Sequence, residues 1–154
     1  MSERNSMNYI EILLVEDNQG DVVLTKRALK SGKVLHNLHV ANDGEAALAF
    51  LHDVEYGQAP RPDLILLDLN LPKVNGREVL ARIKSNEALA SIPVVVLTTS
   101  KADEDIMKTY ELHANSFITK PVDWPQFVNV IRSIEEYWFT IVKLPRVKSE
   151  NVRT

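Results

Sequence analysis

The chain has 154 residues, of which 45% are hydrophobic and 25% are charged, and its formal net charge is -3. This composition is typical of one globular domain and not of a disordered chain, and the acidic balance favours neither nucleic acid nor an anionic membrane as a partner, since both bind basic surfaces. The absence of cysteine excludes disulfides and thiolate metal sites.

Five short apolar runs alternate with amphipathic segments along the chain, and we predict that they are β-strands. Three of them consist almost wholly of Val, Ile and Leu, which is typical of strands that are buried on both faces of a parallel sheet. The predicted strands are residues 10–15, 38–41, 64–67, 94–97 and 116–119.

The amphipathic segments between these runs predict helices. We expect them at residues 22–31, 44–51 or somewhat beyond, 77–84 and 104–112, with a last helix that runs to about residue 140. The last helix has a clear start, because Asp123 can cap it, Pro125 suits its first turn and Gln126 completes a capping box. Strand and helix repeated five times predict an α/β fold with an open, doubly wound parallel sheet and helices on both faces.

The chain is expected to hold one domain at residues 9–143, ending in an extended C-terminal helix. Residues 1–8 and 144–154 are polar, and we expect them to be a disordered N-terminal tail and a C-terminal tail. The N-terminus lacks the apolar segment of a secretory signal, and the apolar runs are too short to span a bilayer. We therefore expect a cytoplasmic protein with no membrane partner.

Residues that can carry chemistry lie where the predicted strands end. Glu16 and Asp17 follow the first strand and Asp68 follows the third, while Thr98 ends the fourth and Lys120 follows the fifth. In a parallel sheet all these ends meet at one edge, where the carboxylates would repel each other unless a divalent cation such as Mg²⁺ lay between them. The pattern suggests phosphoryl transfer, with Asp68 as the nucleophile that forms an acyl phosphate.

These residues and their surroundings resemble the two-component response-regulator receiver domain over about residues 9 to 140. The spacing agrees with that family, with 30 residues from Asp68 to Thr98 and 22 from Thr98 to Lys120. The resemblance implies a flavodoxin-like fold with strand order 2-1-3-4-5. The motifs that carry it are residues 13–17, 66–72, Gly76, 97–99 and 119–121.

The resemblance also implies a role for each residue of the pattern. Asp68 would be the phosphoacceptor, and Mg²⁺ would be bound by Glu16, Asp17, Asp68 and the backbone carbonyl of Asn70. Lys120 would pair with the phosphoryl oxygens. The protein would then be no enzyme beyond catalysing its own phosphorylation and dephosphorylation.

Two further residues would form the switch of such a domain. The hydroxyl of Thr98 would bond the phosphoryl group, and Phe117 occupies the position of the switch aromatic. The family also has a cis peptide bond at the position of Lys120 and Pro121, which only an X-Pro bond adopts at low cost.

Residues 61–73, 76–80, 92–100 and 134–145 resemble more closely the stand-alone regulators that are paired with cyanobacterial phytochromes. That likeness implies a phytochrome-type histidine kinase as phosphodonor, with an unknown downstream target. Two departures from many receivers are Gln19 in place of Pro and the long stretch 52–62, which should lengthen the second helix or its loop.

Three other functions are compatible with single features of the sequence. A phosphatase or phosphotransferase with an aspartyl nucleophile often has an acid two residues on, where this chain has Asn70, which cannot serve as a general acid. A phosphorylation-independent scaffold would usually lack the acceptor or a metal-binding acid. A transcription factor would need a DNA-binding domain, which we do not find in the sequence.

Finally, the C-terminal helix predicts a homodimer. Apolar residues recur along it at spacings of three and four, and beyond residue 134 they become too dense for one sheet to cover. An exposed apolar surface rich in aromatics is typical of an interface, and a twofold dimer is the commonest arrangement. Folding back onto the domain or docking to the kinase are the alternatives. The predicted interface consists of Phe127, Ile134, Trp138, Phe139 and Ile141.

Overall fold

The computed structural model describes residues 9–32, 35–71, 73–99 and 116–133, with the backbone alone for the last three. This part of the chain contains five strands and four helices. The strands are β1 (Ile10–Val15), β2 (His36–Ala41), β3 (Leu64–Asp68), β4 (Val94–Thr98) and β5 (Ser116–Thr119). The helices are α1 (Gln19–Ser31), α2 (Gly44–Glu55), α3 (Gly76–Lys84) and α4 (Trp124–Ser133). The predicted helix 104–112 lies outside the described residues.

The five strands form one parallel sheet in the order β2-β1-β3-β4-β5, which confirms the predicted fold. The register brings the carboxyl ends of neighbouring strands level, since Asp68 pairs with Leu97 and Thr98 pairs with Thr119. Residues at the end of β3 and directly after β1 and β5 therefore meet at one edge of the sheet. No helix in the described part of the chain is both long enough and apolar enough to cross a membrane.

The core has two halves, one on each face of the sheet. Alternate residues of the central strands point to opposite faces, so that Leu67 packs in one half and Leu66 in the other. Every residue of β3 and β4 is buried, which explains why their sequences are unbroken apolar runs with a polar residue only at the carboxyl end. Each fully buried Val, Leu or Ile contributes roughly 1.5–3 kcal/mol to stability.

Side-chain caps start the helices close to the carboxyl edge. The side chain of Asn18 accepts a hydrogen bond from the Asp21 amide at 2.9 Å, and Asp123 accepts one from the Gln126 amide at 2.9 Å, as the capping box predicted. The cap at Asn18 makes α1 begin at Gln19, three residues before the predicted start at residue 22. The first turn of α1 therefore reaches the edge of the sheet where the acidic residues lie.

The long stretch 52–62 divides between the end of α2 and the loop that follows it. The helix continues to Glu55, and the loop that follows is held by Arg61, which donates hydrogen bonds to the Ala88 carbonyl at 2.6 Å and to Ser91 Oγ at 2.9 Å. These contacts tie the loop to the segment before β4, at the end of the sheet opposite the acidic residues.

Phe127 lies in the core and not on a surface. Its side chain is fully buried among residues of the sheet, α1 and α4, and its ring stacks on Trp124 with centroids 5.5 Å apart. The prediction that Phe127 belongs to a dimer interface is therefore wrong, because its side chain already covers the sheet of its own domain. Ile134, Trp138, Phe139 and Ile141 lie outside the described residues.

The close approach of α3 to β3 generates a test of the fold. A Cβ at Gly76 would lie 2.4 Å from the backbone oxygen of Asp68, so Gly76→Ala must displace one backbone from the other. We expect the free energy of unfolding to fall by about 1–3 kcal/mol in chemical denaturation. Gly20→Ala is the control, since its Cβ would meet only the end of the Asn18 side chain, at 3.1 Å. Equal stability of the two variants would contradict the packing described here.

Candidate functional site at the carboxyl edge of the sheet

Three carboxylates come together where β1 and β3 end. Glu16 and Asp17 directly follow β1, Asp68 is the last residue of β3, and one oxygen from each lies within 4.8 Å of the others. Glu16 is fully buried and Asp68 is 4% exposed, whereas Asp17 is open to solvent. The cluster is thus a small acidic pocket with two inner carboxylates and one at its mouth.

Lys120 reaches into this pocket from the strand at the edge. Its backbone amide donates to the Thr98 carbonyl at 2.8 Å, which continues the ladder between β4 and β5 beyond the last strand residue. The Lys120–Pro121 peptide bond is cis, as the resemblance implied. The ammonium Nζ lies 2.8 Å from Glu16 Oε1, 3.0 Å from Asp21 Oδ2 and 3.3 Å from Asp68 Oδ2.

Burial and mutual repulsion change the acidity of these groups. Burial, together with the nearby charge of Asp68, raises the pKa of Glu16 from its usual 4.5 to about 7, although Lys120 opposes the shift. Burial disfavours the charged form of Lys120, but its hydrogen bonds to Glu16 and Asp21 and the charge of Asp68 outweigh that cost and raise its pKa. Lys120 therefore stays charged. Its single positive charge does not balance the carboxylates, so the pocket keeps an excess of negative charge.

The arrangement suits a hard divalent cation. Glu16 Oε2 accepts the hydrogen bond from Lys120, at 3.1 Å. Glu16 Oε1 is buried and, within the described ranges, accepts no hydrogen bond of good geometry, even though Lys120 Nζ lies 2.8 Å away. One oxygen each from Glu16, Asp17 and Asp68 are close enough to share an ion that binds oxygen at about 2.0–2.1 Å. Bound there, the ion would neutralise the charge that Lys120 leaves uncompensated.

The other predicted site residues surround Asp68. The backbone amide of Asn70 donates to Asp68 Oδ1 at 3.2 Å, which leaves Oδ2 as the oxygen nearest to Lys120. Thr98 ends β4, one residue beyond the partner of Asp68, and is 2% exposed. Phe117 lies on β5 opposite Val96, half-buried against the core on the α2 and α3 face of the sheet. The structure thus brings every predicted phosphoryl and metal residue to the same edge.

Two residues of this site were not predicted. Asp21 contacts Lys120 from the first turn of α1, and Gln126 holds the backbone around Lys120. The side chain of Gln126 accepts from the Thr119 amide at 3.1 Å and donates to the carbonyls of Thr119 at 2.9 Å and Pro121 at 3.1 Å. The capping-box pattern identified Gln126 as part of a helix cap. Only the fold shows that its side-chain amide also makes hydrogen bonds to the backbone on both sides of Lys120.

Comparison with known proteins agrees with this geometry. The family model of the response regulator receiver domain matches residues 12–132. The response regulator Rcp1 of Synechocystis sp. is 50% identical over 135 residues, which cover 87% of this chain and 92% of Rcp1. Its Mn²⁺-bound crystal structure superposes with a TM-score of 0.67 at 49% identity, covering 88% of this chain and 99% of the other.

Two further solved structures extend the likeness. The bacteriophytochrome response regulator AtBRR is 41% identical with a TM-score of 0.77, and the match covers 82% of this chain and 93% of AtBRR. The phosphorylated cyanobacterial phytochrome response regulator RcpA is 48% identical with a TM-score of 0.69, and the match covers 89% of this chain and 99% of RcpA. The chain therefore belongs to the response regulator receiver domain family, and its relatives include phytochrome response regulators.

Proposed function

We propose that this protein is the phosphoacceptor of a two-component relay, which takes a phosphoryl group from a histidine kinase onto Asp68 and signals through a changed surface. The observation that carries the proposal is the setting of the Asp68 carboxylate. Its Oδ1 accepts a hydrogen bond from the Asn70 amide, and its Oδ2 lies 3.3 Å from the ammonium of Lys120. Two more carboxylates lie close enough to share a metal ion with it, and this supports the proposed binding of Mg²⁺.

The chain's own groups suit each part of the transfer. A carboxylate oxygen of Asp68 bonds to phosphorus while the bond between phosphorus and the kinase histidine breaks, and that histidine leaves with the electron pair. Lys120 stabilises negative charge on the phosphoryl oxygens, because its ammonium already lies against the acceptor. Mg²⁺, held by Glu16, Asp17, Asp68 and the Asn70 carbonyl, would supply the remaining positive charge.

A phytochrome-type histidine kinase is the proposed phosphodonor. The phytochrome response regulators RcpA and AtBRR align with this chain over most of both lengths. Receiver domains that are similar over their whole length offer similar surfaces to a kinase, so the likeness supports a kinase of the same class.

The response to phosphorylation is proposed to pass through Thr98 and Phe117. A phosphoryl group adds about 1.5–2 negative charges and new acceptor oxygens beside the end of β4. The hydroxyl of Thr98 bonds one of these oxygens, and the space it leaves lets Phe117 turn inward. Phe117 is half-buried on the adjacent strand, so its rotation would change the surface of the domain next to β5.

A homodimer remains part of the proposal, and its support is the sequence that follows α4. Ile134, Trp138, Phe139 and Ile141 place more apolar surface on one short segment than the sheet can cover. Phe127 is no longer among the interface residues, because the core of its own domain encloses it.

The proposed acceptor is tested by Asp68→Asn. We expect the full chain to gain one phosphoryl group per molecule from acetyl phosphate and Mg²⁺, and the variant to gain none, because the amide is no nucleophile. Intact mass measures the product, and Asp53→Asn, which changes an exposed acid of α2, is the control expected to react normally. Phosphorylation of Asp68→Asn to the same extent as the parent would rule out Asp68 as the acceptor.

The raised pKa of Glu16 predicts that Mg²⁺ affinity increases with pH. Binding must displace the proton of a carboxyl whose pKa is about 7 in the metal-free protein, so affinity rises between about pH 6 and pH 8. In the same metal-free protein this group binds more protons when folded than when unfolded. Its contribution to the free energy of unfolding therefore falls as pH rises from about 4.5 to about 7.

Calorimetric titration with Mg²⁺ at several pH values measures this dependence. Glu16→Gln should bind more weakly and lose the dependence, since the titrating group is gone. The matched variant Asp17→Asn should bind about tenfold more weakly or worse but retain the dependence, because Glu16 still titrates. A dependence that survives in Glu16→Gln would show that another group carries it.

The dimer is tested by sedimentation of the full chain at high micromolar concentration. We expect a dimer, and we expect truncation after Glu136 or the substitution Trp138→Glu to shift it to monomer by removing the apolar surface or charging it. Val147→Glu, in the predicted polar tail, is the control. A monomeric full chain, with and without beryllofluoride, would exclude the dimer.

A further inference from the structure

Asp21 contacts Lys120, the proposed catalytic lysine. Among the described residues, it is not one of the three clustered carboxylates that form the acidic pocket. It lies in the first turn of α1, where its amide is fixed by the cap at Asn18. Its Oδ2 accepts a hydrogen bond from Lys120 Nζ at 3.0 Å, and its side chain is 29% exposed. Asp21 is thus held in place by its own helix while it holds the lysine.

Lys120 contacts three carboxylates, those of Glu16, Asp68 and Asp21, and each has a different role in the proposed reaction. On the proposed function, Glu16 binds the metal and Asp68 becomes an acyl phosphate. The contact of each with the Lys120 ammonium is therefore weakened during the reaction. Asp21 neither binds the metal nor accepts the phosphoryl group. Its contact with Lys120 can persist from the resting protein to the phosphorylated one.

We propose that Asp21 is a positioning residue, which anchors the ammonium of Lys120 so that its other N–H groups point at the acceptor pocket. The inference rests on the proposed function, because it concerns the lysine that stabilises the phosphoryl group. A lysine side chain has several rotatable bonds, and fixing its charged end in advance lowers the entropy cost of using it in a transition state.

Asp21 could also act in the opposite sense, since its negative charge repels the incoming phosphoryl group. Two features weaken that effect. The hydrogen bond to Lys120 offsets the charge of Asp21 at 3.0 Å, and the N-terminus of α1 favours a negative group in its first turn. The anchoring effect should therefore prevail, and the direction of the change in rate distinguishes the two.

The test is the initial rate of phosphorylation by acetyl phosphate and Mg²⁺, measured for the full chain, Asp21→Asn, Lys120→Ala and the double variant. Asp21→Asn keeps the shape of the side chain and removes its charge. We expect its rate to fall about fivefold or more, by the loss of a charge-assisted hydrogen bond. In the Lys120→Ala background, Asp21→Asn should have no further effect, because the residue acts through Lys120.

Two controls separate positioning from a structural role. Glu78→Gln removes the charge of an acid in the first turn of α3 that pairs with Arg82, and it should phosphorylate normally. Mg²⁺ affinity of Asp21→Asn should stay within about threefold of the parent, since Asp21 is not a proposed ligand. In metal-free protein, the NMR signal of the Lys120 ammonium protons should exchange faster with water in Asp21→Asn and not in Glu78→Gln.

The outcomes bear separately on the two proposals. If the full chain accepts no phosphoryl group, the proposed function fails. If it does, then an unchanged or faster rate in Asp21→Asn, the same loss in the Lys120→Ala background, or an unchanged Lys120 ammonium signal each overturns the role of Asp21 alone.

Discussion

The site depends on a conflict of charge at one edge of the sheet. Glu16 and Asp68 are buried beside each other, and Asp17 stands at the mouth of the same pocket. Lys120 relieves part of the repulsion through contacts with Glu16 and Asp68 of 2.8 and 3.3 Å. Burial, together with the remaining repulsion from Asp68, raises the pKa of Glu16 to about 7, so the metal-free pocket favours whatever brings positive charge to it.

The fold brings these carboxylates together and also provides the groups that offset their repulsion. A parallel sheet aligns the carboxyl ends of its strands, and with the apolar strands β1 and β4 on either side of β3, Asp68 is only 4% exposed. The helices then begin beside the same edge, because caps such as Asn18 and Asp43 start them within a few residues of the strand ends. Lys120 also lies at this edge, because its amide extends the pairing of β5 with β4.

The sequence predicted the sheet well because local and tertiary requirements coincide there. Strands buried on both faces need unbroken apolar residues, and the acids after them are too few and too regularly placed to be ordinary turn residues. The start of α1 was predicted three residues late, because apolar periodicity shows the buried face of a helix and not the cap that starts it. Asp21 was missed for the same reason. Phe127 was misassigned because periodicity cannot tell which partner covers an apolar side chain.

Because burial and the charge of Asp68 raise the pKa of Glu16 to about 7, we expect a bound cation to displace the proton of this carboxyl near neutral pH. Carboxyl ¹³C NMR of Glu16, followed across pH in the full chain with and without Mg²⁺, tests this directly. We expect a midpoint near pH 7 without metal and a clear shift to lower pH when Mg²⁺ is added. A Glu16 carboxyl that titrates near its usual 4.5 without metal, or whose midpoint ignores Mg²⁺, would contradict it.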